Sequence, residues 1–176
     1  MKPAIAQEYG YRLPVMTPPL TLLMLGEICR QAGHTVELVD TRLHLRIEGG
    51  EWRLDLDRLE EVIAASPAQV VGISFLSSSA SDGWAIAQIA HRHGKTVIGG
   101  GLHAAIAPHE FQEQGTFHYL VQGEAEAALS DLLAHLSDGT LPWYPADLRF
   151  IHAAALPLNQ MHRIPAITNF APYGQV

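Results

Sequence analysis

The chain has 176 residues, enough for one domain around a single buried core. Its formal net charge of −7 offers no basic surface for nucleic acid, and no apolar run reaches the roughly 18 residues of a membrane span. One cysteine, Cys29, excludes an internal disulfide and any all-cysteine metal or iron–sulfur site, and fits a reducing cytoplasm.

The start, Met1-Lys2-Pro3-Ala4-Ile5-Ala6, lacks the long apolar stretch of a secretory signal. Residues 3–7 read as a short first strand, followed by a Pro- and aromatic-rich loop from Tyr9 to Pro19. Helical spacing runs from Leu20 through Leu23, Met24 and Ile28, and Gly33 is a natural stop. His34 to Val39 alternates and reads as a strand ending at Asp40. Residues 41–54 show no clear period, although Glu48-Gly49-Gly50-Glu51 looks like the turn of a small hairpin. Leu56, Leu59, Val62 and Ile63 predict a helix, with Pro67 beyond its end. Val70 to Phe75 is continuously apolar enough for a central parallel strand. Ser81 or Asp82 can cap the next helix, which carries Trp84, Ile86, Ile89 and Ala90 and stops at Gly94. Thr96 to Ile98 is the next strand, Pro108 opens a short helix ending near Gly115, and Phe117 to Val121 is the last strand. Leu129, Leu132, Leu133 and Leu136 mark the last clear helix, with Gly139 after it.

This alternation predicts an α/β fold with a five-stranded, doubly wound parallel sheet, Rossmann-like or flavodoxin-like. Residues 1–139 form the domain. Residues 140–176, punctuated by Pro142, Pro145, Pro157, Pro165 and Pro172, read as a C-terminal arm or linker.

Ligands of open α/β sheets bind outside the carboxyl ends of the strands, so the loops there carry the functional reading. Five serines lie between Ser74 and Ser81; they can bond a ligand or simply cap the following helix. Gly99-Gly100-Gly101 lets a flat ligand approach the backbone, or serves a tight turn. It is neither a dinucleotide fingerprint, since Ala104 stands at the last Gly, nor a phosphate loop. His103 can contact a ligand or bond local backbone. Gly123 and Glu124 form the loop after the last strand; acidic residues such as Glu124 and Glu126 are also favoured there by the helix dipole. No His-Glu-x-x-His pair or other compact metal set occurs, and Cys29 reads as an inert core thiol. No residue reads as catalytic.

Taken together, these segments resemble the cobalamin-binding domain of cobalamin-dependent radical S-adenosylmethionine enzymes. The resemblance rests on Pro18-Pro19-Leu20 opening a helix, Ala32-Gly33-His34-Thr35-Val36-Glu37-Leu38-Val39-Asp40, and Val71-Gly72-Ile73-Ser74-Phe75-Leu76-Ser77 with its Ser-x-Leu element. It continues in Gly100-Gly101-Leu102-His103-Ala104-Ala105 with Pro108, and in Gln122-Gly123-Glu124-Ala125-Glu126, where Ala125 replaces a common Gly. It covers about residues 15–137. It implies cobalamin bound by Ser74, Phe75, Leu76, Ser77, Ser78, Gly99, Gly100, Gly101, His103, Gly123 and Glu124.

Many cobalamin domains carry Asp-x-His-x-x-Gly after the first strand, but the Tyr9–Pro19 loop has neither Asp nor His. The resemblance therefore implies a base-off cofactor without a histidine ligand from that loop, with Tyr9–Thr17 and Leu76 or Ser77 near the lower cobalt face. The family's radical domain binds S-adenosylmethionine and a four-iron cluster through Cys-x-x-x-Cys-x-x-Cys. That motif is absent here, so the resemblance implies a radical domain in cis or in trans, with radical methyl transfer or a related conversion as the parent activity. Two other readings stay open: a standalone cobalamin carrier or sensor, and a flavodoxin-like ligand-binding module.

Overall fold

The computed structural model describes residues 19–153. Helix α1 (Leu20–Gln31) comes first and buries Leu23, Gly26 and Cys29. A 3-10 turn at Thr41–Leu43 follows, capped by Asp40, whose buried carboxylate accepts from the backbone N–H and guanidinium of Arg42. Strands β1 (Leu45–Glu48) and β2 (Glu51–Leu54) pair antiparallel around Gly49 and Gly50, with φ of +60° and +86°. Positive φ at both central residues is the demand of a two-residue hairpin turn, which glycine meets without strain. The hairpin suggested by Glu48–Glu51 is present.

From there strands and helices alternate: α2 (Leu56–Ala65), β3 (Val70–Ser74), α3 (Ala80–Arg92) and β4 (Thr96–Gly100). Two short helices, α4 (Leu102–Ile106) and α5 (Pro108–Gln114), lead to β5 (Tyr119–Gly123), α6 (Ala125–Ser137) and β6 (Arg149–Ala153). The last four strands form one parallel sheet in the order β3-β4-β5-β6.

Alternate strand residues project to opposite faces. Val71, Ile73, Val97, Leu120 and Phe150 join α2, α3 and α5 through Leu59, Ile63, Ile86, Ile89 and Phe111. Val70, Ile98, Tyr119, Val121 and Ile151 join α6 through Leu129, Leu132, Leu133 and Leu136. Cover on both faces explains why the central strands are nearly all apolar.

The structure shows only part of the expected five-stranded sheet. Its parallel sheet has four strands among the described residues, and residues 34–39 belong to none of them. Alternation in that segment marks a half-buried face, which side chains rather than a strand ladder anchor here. Val39 packs against the core, and Arg30 Nη2 donates to the Val36 carbonyl at 3.4 Å. The Ser66 hydroxyl donates to Glu37 at 2.7 Å. The expected strand at 3–7 and the Tyr9–Thr17 loop lie outside the described residues.

The second difference is β6, which falls in the stretch read as an arm. The chain reaches it along the sheet's amino end. There Thr96 Oγ1 donates to the Trp143 carbonyl at 2.9 Å, and the Tyr119 hydroxyl donates to the Pro142 carbonyl. The Tyr144 hydroxyl donates to the Gly94 carbonyl at 2.8 Å. Prolines hid a segment whose order comes from long-range bonds.

Candidate functional site

Parallel pairing brings the carboxyl ends of the strands to one edge: Ser74 is registered with Gly100, and Gly123 with Ala153. The loop after β3 is tied to the loop after β4 by backbone bonds. The Phe75 N–H donates to the Gly100 carbonyl at 2.9 Å, and the His103 N–H donates to the Phe75 carbonyl at 3.3 Å. Gly101 makes this contact possible. Its φ is +89°, and a Cβ there would lie 2.6 Å from the Phe75 carbonyl oxygen and 2.9 Å from Ser74 Oγ.

The predicted site residues divide into two groups. Ser74, Leu76, Ser77, Ser78, Gly101, Gly123 and Glu124 are exposed at this edge, with Gly100 half-buried among them. Phe75, Gly99 and His103 are buried and serve the site from beneath. The Phe75 ring sits against Trp84, Phe111 and Phe117 with centroids 5.0, 5.2 and 5.7 Å away. A Cβ on Gly99 would meet Leu120 and Phe111 side chains at 2.9 Å, so that glycine makes room for the core. Gly123 has φ +97°, and a Cβ there would run into the Ala153 carbonyl, so it also fits β5 to β6.

Gly100 differs from its neighbours. Among the described residues, a Cβ there would meet nothing closer than the Val121 carbonyl oxygen at 3.7 Å, and one on Gly72 would meet nothing within 4 Å. Gly72, Ser74 and Gly100 share the face that carries Val70 and Ile98, the face toward α6. The carboxyl end of that face is thus a strip almost bare of side chains.

Three further features were not legible as site residues. Leu102 and Ile106 of α4 are 61% and 63% exposed, and with Leu76 at 58% they put three large apolar side chains on the two loops. Glu126, in the first turn of α6, has a carboxylate oxygen that is buried and without a hydrogen-bond partner among the described residues. Glu110 reaches back from α5 to the His103 ring. Exposure and long-range partners are properties of the folded chain, and no local pattern announces them.

His103 has both ring nitrogens engaged: Nδ1 lies 3.2 Å from Ser77 Oγ and Nε2 lies 3.2 Å from a Glu110 carboxylate oxygen. Among the described residues no group of three or more His, Cys, Asp or Glu side chains is placed to hold a metal ion. Likewise, no described helix is long and apolar enough to cross a membrane. Cys29 is a free thiol on the buried side of α1. Burial pushes its thiol pKa up, against the opposing pull of Arg30.

Residues 11–133 match the family model described as the B12 binding domain. The chain belongs to that family. No curated protein matches the chain. Among solved structures, the N-terminal domain of a hypothetical protein from Thermotoga maritima is similar at 16% identity, with a TM-score of 0.43. That likeness covers 74% of this chain and 88% of the other.

The residues of this B12-binding domain fit a corrinoid. The strip at Gly72, Ser74 and Gly100 has room for a flat group against the backbone. Leu76, Leu102 and Ile106 offer apolar contact to a macrocycle, and the serine hydroxyls and the unpartnered Glu126 oxygen suit its carboxamide N–H groups.

Proposed function

We propose that this B12-binding domain holds cobalamin base-off at the carboxyl edge of its sheet, with the nucleotide tail lying along the strip at Gly72, Ser74 and Gly100. One observation carries the reading. Gly100 is half-buried on the sheet face that packs α6, yet among the described residues a side chain there would meet only ordinary contacts. Such a position has no packing reason to be glycine, whereas Gly99 and Gly101 each have one. A ligand lying against the backbone supplies the reason. Ser74, Leu76, Ser77, Ser78, Gly101, Gly123 and Glu124 would form its surroundings, with Phe75, Gly99 and His103 acting from below.

Cobalt, when bound, supplies the methyl-carrier or redox chemistry. The chain's own residues bind and orient. Both nitrogens of His103 are committed to protein partners, which supports a lower cobalt face without that histidine. We further propose that the parent protein is a radical S-adenosylmethionine methyltransferase or a related radical enzyme. This rests on the five matching segments, and the radical domain would act in cis or in trans.

The test is retention of hydroxocobalamin after desalting, read by absorbance. The wild-type protein should stay red, and Gly100→Val should lose the colour while keeping its far-ultraviolet circular dichroism. A folded wild-type protein that retains no corrinoid overturns the reading, and a yellow protein points instead to the flavodoxin-like alternative. Electron paramagnetic resonance of the reduced cobalt(II) form should show no nitrogen splitting. The parentage is tested by the coding sequence flanking this chain, where a Cys-x-x-x-Cys-x-x-Cys motif is the expected result.

A further inference from the structure

The strongest polar feature at this edge is a hydrogen-bonded chain whose effect on Ser77 the cofactor reading leaves unexplained. Ser77 Oγ, the His103 ring and the Glu110 carboxylate follow one another at 3.2 Å and 3.2 Å. They come from the loops after β3 and β4 and from α5. The His103 side chain is 8% exposed and that of Glu110 42%, while Ser77 faces solvent at the rim. The chain therefore runs from a half-exposed carboxylate, through the core, to the site.

The direction of its protons follows from the donors available. A carboxylate only accepts, so whenever the ring carries a single proton, Nε2–H facing Glu110 is the tautomer that satisfies this contact. Its Nδ1 is then a bare lone pair. The hydroxyl of Ser77 is the partner there, and it must donate inward. The oxygen lone pairs of Ser77 are left facing outward. A serine without such a partner rotates freely between donor and acceptor; this one is held as an acceptor.

We propose that Glu110 and His103 are positioning residues that fix Ser77 as a hydrogen-bond acceptor toward the bound corrinoid, where it selects a carboxamide N–H. This rests on the cobalamin reading for the identity of the ligand. Among the described residues, the aromatic rings packed on the His103 imidazole are Phe75, Trp84 and Phe111, with centroids 6.5, 5.9 and 5.8 Å away, and none of the three is ionisable. They seal the ring, so Glu110 is the charge that sets its tautomer. If the ring merely filled the aromatic box, a phenylalanine would serve, and two polar partners at opposite nitrogens would have no use.

Two measurements test this. Nitrogen-15 NMR of the imidazole in the cobalamin-free protein should report the Nε2–H tautomer above neutral pH, and Glu110→Ala should move it toward a mixture. Hydroxocobalamin titration should then show Ser77→Ala and Glu110→Ala each weakening binding about fivefold, the worth of one neutral hydrogen bond. Ser77→Thr should restore affinity. The double variant should bind no worse than Ser77→Ala alone, because Glu110 acts only through Ser77. An Nδ1–H tautomer in the wild type, additive losses in the double variant, or unchanged affinity in Ser77→Ala overturns the proposal. If the wild-type protein binds no hydroxocobalamin, the cobalamin reading fails on its own account, and the tautomer still decides the relay.

Discussion

At the scale of single residues, Gly83 and Phe75 show how a missing atom shapes the site from below. A Cβ on Gly83 would run into the Phe75 ring, so the ring lies directly on the backbone of α3. That seat brings Phe75 into tilted and edge-on contact with Trp84, Phe111 and Phe117 and holds the loop that carries Leu76 and Ser77. Gly83→Ala should cost about 1–3 kcal/mol, the range for overpacking a filled core, and should be read by urea unfolding. A loss below about 0.5 kcal/mol would mean that the ring can shift freely. The sequence shows Gly83 only as a poor helix residue. Its purpose depends on a ring eight positions earlier, and no helical or strand period encodes that meeting.

His118 ties a residue to the pH of the solution. Its Nδ1 accepts the Val97 backbone N–H at 2.9 Å, which requires a bare nitrogen. Burial, and secondly the nearby His91, push its pKa below the usual histidine value. The unfolded chain therefore binds that proton more readily than the folded one. The resulting stability is full above the ordinary histidine pKa of about 6.5 and is lost as pH falls from there through the depressed folded value. Unfolding by urea at pH 7.5 and pH 5 should show this loss. His118→Asn, whose side-chain oxygen can accept the same N–H without titrating, should flatten the difference.

At the scale of elements, β6 is the part that local reading missed. Gly123 links the end of β5 to the end of β6, and its φ of +97° and its contact with the Ala153 carbonyl both demand the absence of a Cβ. Gly123→Ala should destabilise the protein by more than about 1 kcal/mol, since φ is positive and backbone must move. Hydrogen exchange should speed up first at residues 149–153. Uniform acceleration throughout the sheet would instead mean that β6 is not a separate seam. The hairpin at 45–54 was legible because its turn chemistry is local. The segment 34–39 was misread because alternation reports a half-buried face, whereas strand pairing depends on what lies alongside. The small-residue loops after β3, β4 and β5, on which the proposed site rests, were legible because small residues after an apolar run are a local signal.

At the scale of the whole molecule, binding and folding are linked. A ligand held only by the folded state stabilises it by about 2.7 kcal/mol at a free concentration one hundred times its dissociation constant. Hydroxocobalamin should therefore raise the melting temperature of the wild-type protein by several degrees and leave that of Gly100→Val unchanged. An equal rise in both would place the corrinoid somewhere other than the strip at Gly72, Ser74 and Gly100.

By itself the sequence determined the α/β class, the order of most elements, the loops proposed as the site and the resemblance to cobalamin domains. Those follow from apolar period, turn residues and motif order, which are written along a few neighbouring positions. Only the tertiary structure decided which glycine leaves room and which is required by packing, since that depends on atoms from other strands. It also decided that β6 joins the sheet, that Leu102 and Ile106 stand exposed beside Leu76, and that Glu110 meets His103. Such facts are distances between residues far apart in the chain, and they exist only once the backbone has closed around its core.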